Sequence, residues 1–230
     1  MSGPAVSGNP GDGFFVALEG GDGSGKTTQQ RLLADWLAER GHEVVVTREP
    51  GGTATGTALR AVLLARRADG DALSPRAEAL LFAADRAQHV AEVVLPGLRR
   101  GAVVVTDRYV DSSLAYQGAG RALPADEVEQ LSRWATDGLQ PDLTVVLDVD
   151  PATAAGRRGR DAGRTGEDRM EAESLAFHTR VREQFLALAA RRPGRYLVLD
   201  AADAAEDVQR RLREHLAPLL RSAAPAGARP

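Results

Sequence analysis

The chain alternates between short blocks of consecutive apolar residues and longer stretches where apolar residues recur every three or four positions. Five blocks, Phe14–Glu19, Glu43–Thr47, Ala102–Asp107, Leu143–Val149 and Arg195–Asp200, are nearly continuously apolar and rich in β-branched residues. Such runs predict strands covered on both faces in a parallel sheet, since a strand with one wet face would alternate apolar and polar positions. Between the first two, Leu32, Leu33, Trp36 and Leu37 fall at helical spacing, and Gly41 supplies a stop. Further helices are predicted at Pro75–Arg99, Ala125–Thr136 and Glu171–Arg191. About five strands joined by helices of this length make an α/β fold, a doubly wound parallel sheet with helices on both faces. Ligands of such sheets bind beyond the carboxyl ends of the strands, where the polar motifs of this chain fall.

No internal repeat and no composition break divides the chain. Residues 1–12 and 222–230 are Gly-, Ala-, Ser- and Pro-rich and have nothing to bury, so both are predicted to be disordered tails. They flank a single expected domain over 13–221. The chain has 230 residues, 43% hydrophobic and 27% charged, with a net charge of −3. This balance gives no footing for nucleic-acid or membrane binding. No apolar run approaches the roughly 20 residues of a membrane helix, and the N-terminus has no leader pattern; the expectation is a cytoplasmic protein. The absence of cysteine excludes thiol catalysis, disulfides and cysteine metal sites.

Of 29 basic residues only Lys26 is a lysine. A lysine kept in a chain that otherwise uses arginine points to a place where a compact ammonium is needed and a planar fork does not fit. Its neighbours say which. Gly20, Gly21, Asp22, Gly23, Ser24, Gly25, Lys26 and Thr27 match G-x-x-x-x-G-K-[ST] in full, after a predicted strand and before a predicted helix. Glycines let successive N–H groups turn toward phosphate oxygens, and the helix N-terminus adds partial positive charge. Lys26 is then expected on the β- and γ-phosphates and Thr27 on Mg²⁺, with Thr28 completing the ATP-binding loop.

Four more segments carry candidate chemistry. Thr47-Arg48-Glu49-Pro50-Gly51-Gly52 follows the second strand. Phe82 and Arg86 sit four apart on one helical face, an aromatic plane for stacking beside donors for a base carbonyl. Asp107-Arg108-Tyr109 ends a strand, placing a carboxylate for a metal shell and a guanidinium able to grip an acceptor phosphate bidentately. Arg157, Arg158, Arg160, Arg164 and Arg169, with glycines interspersed, suggest a lid over about 151–170 that closes cations on a transferring phosphoryl group. His42, His89, His178 and His215 lack partner spacing and are read as structural or solvated.

Taken together, LEG-x-D-G-x-GKTTQ, TREPGGT, LLFAADRAQH, DRY-x-x-SS-x-AYQG and the Arg-rich segment ending in Asp168-Arg169-Met170-Glu171 resemble bacterial thymidylate kinases from about Phe14 to beyond Asp200. The resemblance implies transfer of the ATP γ-phosphate to dTMP with Mg²⁺, in a homodimer. It implies that Arg48 and Arg108 hold the dTMP phosphate, Phe82 stacks on thymine, and Arg86 bonds its carbonyl. Ser113 and Gln117 would contact base or sugar, Tyr116 would pack on the deoxyribose and disfavour a 2′-hydroxyl, and Asp22 would approach the acceptor phosphate. Some relatives carry an arginine where this chain has Gly23, and those without it place catalytic arginines in the lid; at least one of Arg157, Arg160 and Arg164 is therefore expected on the phosphates. A phosphate monoester is already mostly dianionic at neutral pH, so no general base is required. Two alternatives stand beside this reading: a kinase of UMP, CMP or AMP, and a nucleotide-binding regulatory protein. The latter's N-K-x-D base motif has no second lysine to use.

Overall fold

The computed structural model describes residues 11–66, 72–161 and 168–223, apart from the side chains of 158–161 and 221–223. Along the chain run β1 (Phe14–Glu19), α1 (Lys26–Ala38), β2 (Val44–Arg48), α2 (Ala54–Leu64), α3 (Pro75–His89), α4 (Leu95–Arg99), β3 (Val103–Asp107) and α5 (Val110–Ser113). Then follow α6 (Ala125–Ala135), β4 (Leu143–Asp148), α7 (Pro151–Asp161), α8 (Leu175–Arg191), β5 (Tyr196–Asp200) and α9 (Ala205–Ala223). The strands form one parallel sheet in the order β2-β3-β1-β4-β5. The doubly wound α/β architecture is thus the one expected.

Both faces of the central strands are covered, which explains their unbroken apolar runs. Val16, Leu18, Val105, Val145 and Leu147 face α1 and α9 through Leu33, Trp36, Leu37, Val208 and Leu212. On the opposite face Phe15, Ala17 and Val104 pack on Val90, Val94, Leu98 and Tyr109, and Val146 packs on Tyr116, Phe177 and Phe185. Full coverage does not extend to all five strands. β2 and β5 are the sheet edges, with Val46 52% and Val198 44% exposed. An edge strand has a neighbour on one side only, so alternate side chains reach water.

The helix expected over Pro75–Arg99 is divided. α3 passes into a π-helical turn at Val90–Val94 before α4. Pro96 is the physical reason, because its missing N–H and its ring, crowding the carbonyl four residues back, forbid an unbroken α-helix. The helix expected from Glu171 begins instead at Leu175, where the Ser174 hydroxyl accepts the Phe177 N–H as an N-cap. α9 runs two residues into the stretch expected as a tail. A second π-helical segment, Leu114–Gly120, follows α5 and carries Tyr116 and Gln117. No described helix is long and apolar enough to cross a membrane.

Candidate active site

β1 and β3 are neighbours, so their carboxyl ends bring the loop after Glu19 beside the turn after Asp107. In the first loop Gly20, Gly23 and Gly25 have φ of 134°, 80° and 90°. Gly20 shows why glycine is required: a Cβ there would lie 2.5 Å from the Leu147 carbonyl oxygen. The loop opens α1 at Lys26, whose side chain folds back so that Nζ donates to the carbonyls of Gly20 (3.1 Å) and Gly21 (2.9 Å). Burial, and then the positive charge of Arg108, lower the Lys26 pKa against the opposing pull of Asp107, Asp22 and Glu19. Thr27 and Thr28 are exposed at the start of α1.

Thr27 Oγ1 donates to Asp107 Oδ2 at 3.4 Å, while Asp107 Oδ1 is buried without a hydrogen-bond partner. One carboxylate and one hydroxyl are hard oxygen donors of the kind Mg²⁺ takes. Among the described residues no group of three or more His, Cys, Asp or Glu gathers to hold a metal alone. A cation here fits only if phosphate oxygens and water fill the rest of its shell, which is the habit of Mg²⁺ at nucleotide sites.

Arg108 is the hub. Its φ of +73° is left-handed, a conformation few non-glycine residues adopt. That turn directs its guanidinium across the site. Nη1 donates to the Gly20 carbonyl (3.1 Å) and to Ser112 Oγ (3.0 Å), and Nη2 to Asp22 Oδ1 (2.5 Å) and Tyr116 Oη (3.2 Å). The Tyr116 hydroxyl donates in turn to Asp22 Oδ2 at 2.8 Å. Arg108 and Lys26 hold the Asp22 carboxyl well below its usual range despite burial. Asp22, expected at an acceptor phosphate, thus sits on the two side chains that shape that region.

Beside this hub lies a pocket lined by Phe82, Arg86, Arg108, Ser113, Tyr116 and Gln117, together with Asp22, Glu49, Arg60, Leu64, Asp168 and Met170. Phe82 is half-buried and contributes a wall, as an aromatic platform must. Arg86, expected beside Phe82 with donors for a base carbonyl, is fully buried. Its Nε donates to Glu49 Oε2 (2.8 Å), Nη1 to Ser113 Oγ (3.0 Å) and Nη2 to the Tyr109 carbonyl (3.0 Å). A guanidinium has five N–H groups, so donors remain for a ligand. Gln117 Nε2 donates to Glu78 Oε1 (2.9 Å), a carboxylate also bridged by Arg121 and Arg169. Arg48 is exposed at the end of β2 and does not line the pocket. Arg60 does line it, its Nη1 donating to the Pro50 carbonyl at 3.0 Å. Nothing in the sequence pointed to Arg60. It stands on α2, an unforeseen helix, and becomes relevant only because α2 packs on α3.

Glu49 accepts from His89 Nδ1 as well as from Arg86, and His89 Nε2 lies 2.8 Å from Thr47 Oγ1. His89 is therefore structural, as expected for a histidine without catalytic spacing. Next to it Asp85 is fully buried, one oxygen accepting the Gly51 N–H at 3.0 Å and the other without a hydrogen-bond partner. Burial, and then the Glu49 charge, push its pKa from 3.8 up to about 6. The folded state therefore binds this proton more tightly than the unfolded chain, and stability falls as pH rises through that window. Asp85→Asn keeps the acceptor for Gly51 and removes the ionisation. Urea unfolding from about pH 4 to about pH 7 should show a shallower loss of stability in the variant; parallel pH profiles would refute this.

Of the lid arginines, Arg157 on α7 donates from Nη1 to the Ala201 carbonyl (2.8 Å) and from Nη2 to Ala202 (3.4 Å), after β5. Its side chain is thus engaged by the backbone that follows β5. The Arg160 side chain and Arg164 lie outside the described residues. Arg169 bonds the Leu63 carbonyl and Glu78, tying the segment after 168 to α2 and α3.

The family model for thymidylate kinase matches residues 18–212. A thymidylate kinase of Clavibacter michiganensis is 55% identical over 214 residues, covering 93% of this chain and 99% of that protein. One from Leifsonia xyli is 57% identical over 201 residues, covering 87% and 93%. The crystal structure of thymidylate kinase from Ehrlichia chaffeensis superposes with a TM-score of 0.71 at 33% identity, covering 90% of this chain and 99% of that one.

Proposed function

The chain belongs to the thymidylate kinase family, and on that premise we propose how its residues carry the ATP γ-phosphate to dTMP, giving ADP and dTDP. The observation that carries the reading is that the phosphate loop and the Phe82–Arg86 pocket share one wall, made by Arg108, Asp22 and Tyr116. A donor triphosphate on the loop and an acceptor nucleotide in the pocket would meet at the Arg108 guanidinium.

Two anionic substrates repel each other, so the first task is neutralisation. Lys26 faces the β- and γ-phosphates, and Arg108 the acceptor phosphate, with Arg60 and Arg48 on the same side. Thr27 and Asp107 would hold Mg²⁺, which when bound supplies charge neutralisation on the triphosphate. Phe82 stacks on thymine, the free N–H groups of Arg86 meet its carbonyl, and Gln117 and Ser113 border the base. Tyr116, pinned by Asp22 and Arg108, sits where a ribose 2′-hydroxyl would crowd it. Catalysis then consists of alignment and charge stabilisation, with no proton abstraction. The region 13–221 works as one kinase domain, with 151–170 as its lid and the tails outside it, in a cytoplasmic homodimer.

Steady-state ADP release with a panel of monophosphates tests the reading. dTMP should exceed dUMP, which lacks only a methyl, by roughly tenfold in kcat/KM, and exceed UMP, CMP and AMP by more. Equal activity on UMP and dTMP would remove the thymidylate assignment and leave a broader monophosphate kinase.

A further inference from the structure

The left-handed turn at Arg108 is held from behind by a side chain to which the mechanism assigns no role. Glu19 closes β1 and is fully buried. Its Oε1 accepts the backbone N–H of Tyr109 (2.8 Å) and of Ser112 (3.2 Å), and its Oε2 accepts the Ser112 hydroxyl at 2.6 Å. Ser112 Oγ has a single proton, and that proton is committed to Glu19. The lone pairs of Oγ are thereby turned toward Arg108 Nη1, 3.0 Å away. Glu19 also borders a cavity of ≈220 Å³ shared with Asp111, Tyr196 and Arg192.

We propose that Glu19 is a positioning residue for phosphoryl transfer, aiming the Arg108 guanidinium through the Ser112 hydroxyl and the Tyr109 backbone. Glutamine is the informative replacement because it keeps shape and volume. Both oxygens of Glu19 accept once it is ionised, and burial raises its pKa to about 8. The comparison is therefore made above that pH, where the glutamine NH₂ stands in place of an acceptor. Facing Ser112 Oγ, it occupies one of the two lone pairs and leaves the hydroxyl proton without its Glu19 acceptor, free to turn toward Arg108 and weaken that contact. Facing Tyr109 and Ser112, it opposes two backbone N–H groups and loosens the turn itself.

The proposal rests on the dTMP reading, and kinetics with both substrates tests it. Glu19→Gln should lower kcat/KM for dTMP about 10- to 100-fold, the consequence of one unmatched buried donor, with KM for ATP essentially unchanged. Ser112→Ala cuts the same relay and should shift the dTMP parameters in the same direction. The double variant should be little worse than Glu19→Gln alone, since residues acting through one chain of contacts are not additive. Losses that multiply in the double variant, or a KM for ATP that rises as much as that for dTMP, would overturn the proposal. So would an unchanged dTMP KM in Ser112→Ala, which decides the matter even if Glu19→Gln does not fold. A wild-type enzyme inactive on dTMP would defeat the functional reading itself, whereas an active one with additive variants defeats only this inference.

Discussion

Replacing Lys26 with alanine is expected to lower kcat about 10³-fold while leaving a folded protein, the upper range for removing one preorganised donor from a transferring group. Lys26 is only 6% exposed, and its ammonium is capped by the Gly20 and Gly21 carbonyls. Removing it strips the loop of its one flexible cation and leaves the Gly21 carbonyl without its side-chain donor, while Gly20 keeps Arg108, a cost of about 1 kcal/mol to the loop. Lys26→Arg should not restore the rate, because a planar fork cannot occupy the small space between those carbonyls and an approaching phosphate. Circular dichroism together with ADP-release kinetics checks both. A kcat within tenfold of wild type for Lys26→Ala would contradict the assignment of Lys26 to the γ-phosphate.

The second large effect is on stability. Arg86→Met should destabilise the fold by about 3–5 kcal/mol, the usual consequence of stranding a buried charge. The Glu49 carboxylate would keep His89 and lose its guanidinium, which is the principal reason its pKa is lowered against burial. Ser113 and the Tyr109 carbonyl would lose their donor as well. Adding Glu49→Gln should return part of the loss, since neutralising the partner removes the stranded charge. Urea denaturation of the two single variants and the double measures this. A loss below about 1 kcal/mol for Arg86→Met would mean that the pair contributes little beyond its desolvation cost.

These two residues differ in how readable they were. Lys26 announced itself, because a phosphate loop is a local device. Its glycines, lysine and threonine are consecutive, and the strand before and helix after are visible in the apolar pattern. Arg86 was singled out by its four-residue spacing from Phe82, but its environment was not. Spacing places two side chains on one helical face and says nothing of what covers that face. α3 turns Arg86 toward Glu49, which lies 37 positions earlier, and toward Ser113, 27 positions later. The division of α3 and α4 lay within reach of the sequence, since Pro96 stands inside the run. α2 and its Arg60 did not, because the short Ala54–Leu64 segment has no distinctive period and is secured by its contact with α3.

The residues themselves therefore determined the class of fold, the phosphate loop and the strand ends where chemistry gathers, because apolar periodicity and turn chemistry act between near neighbours. Tertiary structure alone decided which strands became edges and that Arg108 adopts a left-handed turn. It alone decided that Asp22 and Tyr116 close on that arginine, and that Glu19 stands behind it. The contacts of Asp22 with Arg108 and Tyr116, and of Glu19 with Tyr109, join groups about 90 positions apart, and only the pairing of β1 with β3 brings them within hydrogen-bond range.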